Sequence, residues 1–298
     1  MGINNRSTSL RKRYLFGYAI IAPAFIILVL FFVVPLIKGL QMSFYSGLGL
    51  RASFVGFKNY VMTFTDPRFW NSLKVSVIFT ASIVFFSGLF SLFLAIGLLQ
   101  KPKFHVVYLS AAFMPYITTP VIGALIWFNL LQEPYGVINV ILLRLGSATV
   151  PWLKQPGLAL ICIIFIQVWY TLGYNAVLFM SGLQAIPGSY FEAADLEGCS
   201  FLQKFRHVIL PLLIPSIVFV STINTLYGFV NSYVLAKLVT GGGPFEATNV
   251  MMLYIFEYAF DRFDLGRANA ISFITFMLFI GVAFVQFNYQ KRKFVGLH

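Results

Sequence analysis

Two sets of side chains in this sequence have types and spacing that could do chemistry, and that chemistry is hydrogen bonding rather than bond making. Gln167, Tyr170, Thr171 and Tyr174 recur at helical spacing, with Asn175 beside them. Asn224, Tyr227, Gly228 and Asn231 give an i, i+3, i+4, i+7 stripe in a later segment. Both sets are uncharged and mix amides or hydroxyls with aromatic rings. Such a face suits a hydroxyl-rich solute: the polar groups meet its hydroxyls and the rings accept its C–H faces. The same residues suit a second role. Asn, Gln and Thr tie apolar helices together, and Tyr and Trp gather where a membrane meets water. Trp127 and Asn129, at the end of another apolar run, carry the same two readings. The pattern leaves both open.

The elements that would position these faces are long apolar runs. The 298 residues are 59% hydrophobic and 10% charged, with mean hydropathy +0.85, against about 25% charged residues in a soluble domain. The fold class expected is all-α: a polytopic membrane protein with six transmembrane helices in a single domain over 1–298. The spans lie near 15–37, 75–99, 106–131, 158–184, 208–235 and 268–288. The first run is long enough to cross a bilayer and no small-residue cleavage site follows it, so no cleaved signal peptide is expected. The net charge of +12 fits membrane orientation and anionic lipid, and no nucleic acid partner is expected. With the N-terminus inside, basic residues are about twice as dense in the inner segments as in the outer ones, which puts both termini in the cytoplasm. Cys162 and Cys199 have no metal spacing and no reason to pair.

No Asp, Glu, Lys, Arg or His falls inside any of the six expected spans. An ion- or proton-coupled secondary carrier, the alternative reading, would need intramembrane charge or broken inverted repeats, and the sequence displays neither. A membrane-embedded enzyme would need a nucleophile with its base, paired carboxylates or metal ligands, and these too are missing from the spans. Gly241-Gly242-Gly243-Pro244 is Gly-rich but lacks the Gly-Lys-Ser/Thr ending of a phosphate loop. No catalytic, metal-binding or cofactor-binding residue is therefore expected, and active transport would draw its energy from a partner.

One polar stretch reads as designed helix, within Leu183–Ser216. Pro187 and Gly188 stop the preceding span. Ser189 with Glu192 has capping-box spacing, which predicts a helix from Tyr190. Gly198 suits the left-handed turn that ends it, and Ser200 with Gln203 predicts a second helix running toward Pro211. Ala193 and Ala194 give the first helix a low-profile face, and Glu192, Asp195 and Glu197 a negative rim.

Glu192-Ala193-Ala194, Gly198 and Leu210-Pro211 resemble the EAA loop of binding-protein-dependent ABC importer permeases, with Glu197 and Cys199 standing where Asp and Ala are usual. The resemblance covers the chain in order. Phe54-Val55-Gly56-Phe57-Lys58-Asn59-Tyr60 with Asp66-Pro67-Arg68-Phe69-Trp70-Asn71 is similar to the first external segment of such permeases. Pro134–Asn139 is similar to the second, and Thr240–Pro244 with Thr248, Tyr254, Ala259-Phe260 and Gly266 to the third. The subfamily resembled imports carbohydrates or glycerol-3-phosphate, in the manner of maltose permeases. The resemblance implies a second permease subunit of different sequence, two ATPase subunits that bind ATP and magnesium, and an extracytoplasmic solute-binding protein. It implies a bacterial cytoplasmic membrane, and ATPase coupling through 187–207 by Glu192, Ala193, Ala194, Glu197 and Gly198. It further implies a binding-protein contact at Gly241, Gly242, Gly243 and Pro244. A solute path past Gln167, Tyr170, Tyr174, Asn175, Asn224, Tyr227 and Asn231 is compatible with it.

Overall fold

The structure, a computed structural model, describes residues 4–47, 53–100 and 103–295, with side chains described between residues 16 and 288 of these. The basic end segments expected at Arg6 to Arg13 and Lys291 to Lys293, and Lys101, lie outside the described side chains. The chain divides into two units, Met1–Thr65 with Tyr258–Ile274, and Asp66–Glu257 with Thr275–His298.

In the first unit α1 (Asn4–Leu28) passes through a widened turn, Val29–Val33, into α2 (Val34–Met42). Pro35 brings no N–H to the ladder, and the widened turn just before it lets the Val34 N–H reach back to the Val29 carbonyl instead. The apolar run Phe16–Met42 is long enough to cross a membrane. A two-stranded ribbon follows, β1 (Tyr45–Ser46) antiparallel to β2 (Ser53–Phe54). Buried Asn59, in α3 (Lys58–Phe64), donates to the Ser43 and Tyr45 carbonyls at 2.7 and 2.9 Å. Gly266 lies so close to the Tyr45 carbonyl that a Cβ there would overlap it. The Phe54–Tyr60 motif is thus a structural corner pinned by its asparagine.

The second unit opens with α4 (Pro67–Leu99). Asp66 caps it by accepting from the Arg68 N–H at 2.9 Å, and Pro67 takes the first-turn position where no N–H is needed. It continues through α5 (His105–Ile117), α6 (Pro120–Leu131), α7 (Val137–Arg144) and α8 (Pro156–Gln184). The polar stretch holds α9 (Gly188–Leu196), α10 (Phe201–Lys204) and α11 (Leu210–Leu212). Then come α12 (Ile214–Val230), α13 (Ser232–Leu235), α14 (Met251–Phe256) and the end of α15 (Leu265–Val295).

Helices α4 and α8 run side by side with their apolar contacts in two clusters. Phe79 and Ile83 meet Ile163 and Ile166 at one end, and Leu92 and Ala95 meet Phe179 and Leu183 at the other. Between them lies a polar band. Ser87 Oγ and Thr171 Oγ1 are 2.8 Å apart, Asn175 Nδ2 donates to Ser87 Oγ at 2.7 Å and to Asn224 Oδ1 at 2.9 Å, and Ser91 donates to the Leu172 carbonyl at 2.9 Å. In a bilayer such bonds and close packing replace the hydrophobic drive between helices. Glycines supply the closeness: Gly173 backs onto the Ala112 carbonyl of α5, and Gly228 of α12 onto Thr80 of α4.

Among the described residues four helices are long and apolar enough to cross a membrane, and six spans result if each of two bent pairs counts as one. The third and fifth expected spans are these pairs. α5 and α6 meet at 100°, because Pro120 forces the residues before it into extended backbone, with ψ 155° at Thr118 and 142° at Thr119. The stretch Phe201–Leu212 meets α12 at 68°, at fully buried Leu213 just before Pro215. The second loop helix therefore turns sharply before α12 rather than feeding straight into it.

The α5–α8 crossing has no room for a side chain. Gly173→Val should overlap the Ala112 backbone and cost about 1–3 kcal/mol or more, as overpacking does. Thermal unfolding of the detergent-purified chain would show it as a lowered midpoint, whereas Gly157→Ala, in open space at the start of α8, should leave the midpoint unchanged.

Candidate functional site

The bend at Thr118 builds a tyrosine cluster that sequence reading missed in part. Tyr116, at the end of α5, stacks on Tyr174 of α8 with ring centroids 4.4 Å apart and planes 9° from parallel. Its hydroxyl meets that of Tyr227 of α12 at 2.6 Å. Tyr170 donates to the Thr118 carbonyl at 3.2 Å, satisfying backbone that the bend frees. Beside the cluster is a shallow cleft lined by Pro120, Gly123, Gln167, Trp169, Tyr170 and Asn231, among others. Gln167 Nε2 is buried there without a hydrogen-bond partner. Pro120 followed by a helix was the available signal for the bend, and a tyrosine two residues before Thr118 could have been found from it.

The expected path residues separate into two groups. Gln167, Tyr170, Tyr174, Tyr227 and Asn231 gather around the cluster and cleft. Asn175 and Asn224 lie fully buried in the polar band, bonded to each other, with Asn175 also bonded to Ser87 and Thr171 alongside. Gly228 is spent on the approach to Thr80. Trp127 packs edge-on to Phe165 and Trp169, and Asn129 bonds back to its own helix at Leu125.

The polar loop departs from expectation at its start. α9 begins at Gly188 after Pro187, and Ser189 makes no capping bond because it already lies inside the first turn. The second cap forms as expected: Ser200 N–H donates to Gln203 Oε1 at 2.7 Å and Gln203 N–H to Ser200 Oγ at 3.4 Å. Gly198 has φ +71°, and a Cβ there would meet nothing within 4 Å, so its constraint is conformational alone. The two alanines do not share a face. Ala194 is buried, whereas Ala193 is exposed with Glu192 and Glu197. The negative rim is partly neutralised, since Asp195 pairs with Lys204 across the turn. The apolar surface is larger than the alanines suggested: Leu196 is 91% exposed, and Tyr190, Phe201 and Leu202 are exposed with it. On the other side, Phe191 and Phe205 pack on the cluster of Leu183, Ile209, Leu213 and Val220.

The Gly-rich segment is a bonded turn. Gly241 and Gly242 take φ +63° and +86°. Gly242 N–H donates to the Ala236 carbonyl at 3.0 Å, and Thr248 Oγ1 to the Gly243 carbonyl at 2.8 Å. Of the four expected contact residues only Gly241 is exposed; Gly242 is buried and Gly243 and Pro244 are partly covered.

Residues 69–294 match the family described as binding-protein-dependent transport system inner membrane component. The sn-glycerol-3-phosphate transport system permease protein UgpA of Agrobacterium fabrum is 31% identical over 278 residues, which cover 93% of this chain and 94% of that one. UgpA of Yersinia pestis is 30% identical over 280 residues with the same coverage. Among solved structures, the fold matches a bacterial ABC transporter involved in the import of the acidic polysaccharide alginate, with TM-score 0.85 at 20% identity, covering 96% of this chain and 99% of that one. It also matches the bacterial alginate transporter in complex with alginate pentasaccharide-bound periplasmic protein, with TM-score 0.83 at 20% identity and coverage of 94% and 96%.

The two groups of polar residues should respond differently to substitution. Asn175→Leu removes the donor shared by Ser87 and Asn224 and should destabilise the chain by about 1–2 kcal/mol. Asn231→Leu faces the cleft and should change stability by less than about 0.5 kcal/mol. Thermal unfolding of both variants in detergent checks the contrast.

Proposed function

The chain belongs to the binding-protein-dependent transport system inner membrane components and is the permease subunit of an ATP-driven importer; on that footing we propose that its solute is a sugar or oligosaccharide delivered by an extracytoplasmic binding protein. It forms one half of the membrane pathway, with a second permease of different sequence, and two ATPase subunits bind ATP and magnesium. It hydrolyses no ATP itself. Both termini and the 187–207 loop face the cytoplasm, in keeping with the basic inner segments.

The observation that carries the reading is the construction of that loop. Two short helices are fixed about Gly198, presenting Glu192, Ala193, Glu197 and exposed Leu196, while Phe191 and Phe205 seat the pair on the cluster that includes Val220 of α12. A partner that grips the exposed side would move α12, which carries Tyr227 of the tyrosine cluster and is capped by Asn231 at the cleft. The residues of the cleft support an uncharged, hydroxyl-bearing solute: they offer two amides, a phenol and one indole, and one of the amide nitrogens has no partner of its own. On this reading Gln167, Tyr116, Tyr170, Tyr174, Tyr227 and Asn231 line the path, and Asn175 and Asn224 hold its wall in place. Glycerol-3-phosphate is the second solute reading, favoured by what the UgpA relatives are named for. Thermal-shift screening of the binding protein against a sugar panel together with glycerol-3-phosphate separates the two.

Gly198→Val should insert at normal levels, because the flanking spans are unaffected, yet strain the turn by about 1–3 kcal/mol. Glu192→Lys should place a cation on the presented face. Both are expected to lose most ATPase subunit on purification and most uptake; wild-type retention and uptake would leave the loop a mere connector. Asn231→Leu should lower uptake while ATPase retention stays normal, measured on the same membranes.

A further inference from the structure

A second exposed feature of this unit is built at some cost. Phe245 is 92% exposed and sits at φ +51°, and Glu246 next to it at φ +59°. Left-handed backbone at two successive non-glycine residues costs free energy, and water-exposed phenyl surface returns none. The loop nonetheless holds both in place. Arg68, in the first turn of α4, forks between two carboxylates: its Nε bonds Glu246, and its Nη2 bonds Glu257 at 2.8 Å. Its guanidinium lies over the Tyr254 ring at 5.6 Å, and the Tyr254 hydroxyl donates to Asp66 at 2.8 Å. Asn71 donates to the Glu246 carbonyl at 3.0 Å. On the other flank Thr248 bonds Thr240 at 2.6 Å as well as Gly243. Both sides of Phe245 are tied down, and the ring alone projects.

A strained, clamped loop that presents one aromatic ring to water has the form of an interface anchor. The chain's family transports only with a binding protein, and on the proposed topology this loop lies on the opposite side of the membrane from the 187–207 loop. We propose that Phe245 is an anchor that enters an apolar notch on the extracytoplasmic binding protein, and that Arg68 is the positioning residue that sets its angle through Glu246 and Glu257. On this proposal Arg68 acts through the loop, by way of its bonds to Glu246 and Glu257. A planar fork suits the task, because a lysine ammonium could not bridge the two carboxylates in fixed directions.

The inference rests on the importer reading, and its test keeps the two apart. The assembled transporter is reconstituted in liposomes, and ATP hydrolysis is titrated with the binding protein loaded with the solute that the thermal-shift screen identifies. Absence of stimulation in the wild type would sink the importer reading itself. Given stimulation, Phe245→Ala should raise the half-maximal binding-protein concentration by roughly tenfold, the loss typical of an aromatic anchor, with basal hydrolysis and the stimulated maximum unchanged. Arg68→Ala and Arg68→Lys should raise it similarly. In the Phe245→Ala background, Arg68→Ala should add less than about twofold, since it acts through a ring no longer there. An unchanged half-maximal concentration in Phe245→Ala would overturn the anchor. Equal and independent effects of the two changes would overturn the positioning role of Arg68. Phe245→Ala removes only exposed surface, so the chain should fold even where an Arg68 variant does not.

Discussion

The bonds linking Ser87, Thr171, Asn175 and Asn224 are the constraint on which the second unit depends. They join α4, α8 and α12 at mid-length, between two apolar clusters, where lipid offers no alternative partner. A slide of any one helix by a turn would leave several of these groups unbonded in hydrocarbon. Apolar packing alone tolerates such slides, because one aliphatic contact resembles the next. The band therefore fixes the register of the three helices, and the glycines at 173 and 228 let them approach closely enough for the bonds to form.

The irregular parts can be irregular because that register is fixed. Extended backbone at Thr118 and Thr119 frees carbonyl groups, and Tyr170 from the well-registered α8 bonds one of them. The same bend swings Tyr116 onto Tyr174 and Tyr227. Near the other end of α4, Ser76 Oγ accepts the Met251 N–H at 2.7 Å and so completes the first turn of α14. Broken inverted repeats would mark a secondary carrier, and among the described residues two helix pairs are bent, though a bend alone is not such a repeat. Family membership, not helix continuity, separates the chain from such a carrier.

Much of this was legible from residue order. The span positions follow from apolar runs between charges, and the Ser200 cap and Gly198 turn from local geometry that depends on few neighbours. The misses share a different cause. Ser189 has capping spacing, but the helix is capped at Pro187, two residues too early for Ser189 to serve. Ala194 turned inward because the tilt of α9 is set by Phe191 and Phe205 on a distant cluster. The Arg68 fork joins partners 178 and 189 residues away, which no periodicity reports. Asn175 and Asn231 look alike in a stripe; only the crossing angles of the helices bury one and leave the other at the cleft.

The corner at Leu213 has a mechanical consequence. The arm Phe201–Leu212 meets α12 at 68°, nearer a right angle than a straight line. Leu213 has no exposed surface, so the corner cannot straighten without opening a void in the packing around it. A displacement along the arm thus reaches α12 mostly as a sideways sweep and only slightly as a thrust along its axis. On the proposed docking at the 187–207 loop, the corner would act as a crank, turning travel along the arm into lateral travel of α12 with Tyr227 and its cap Asn231.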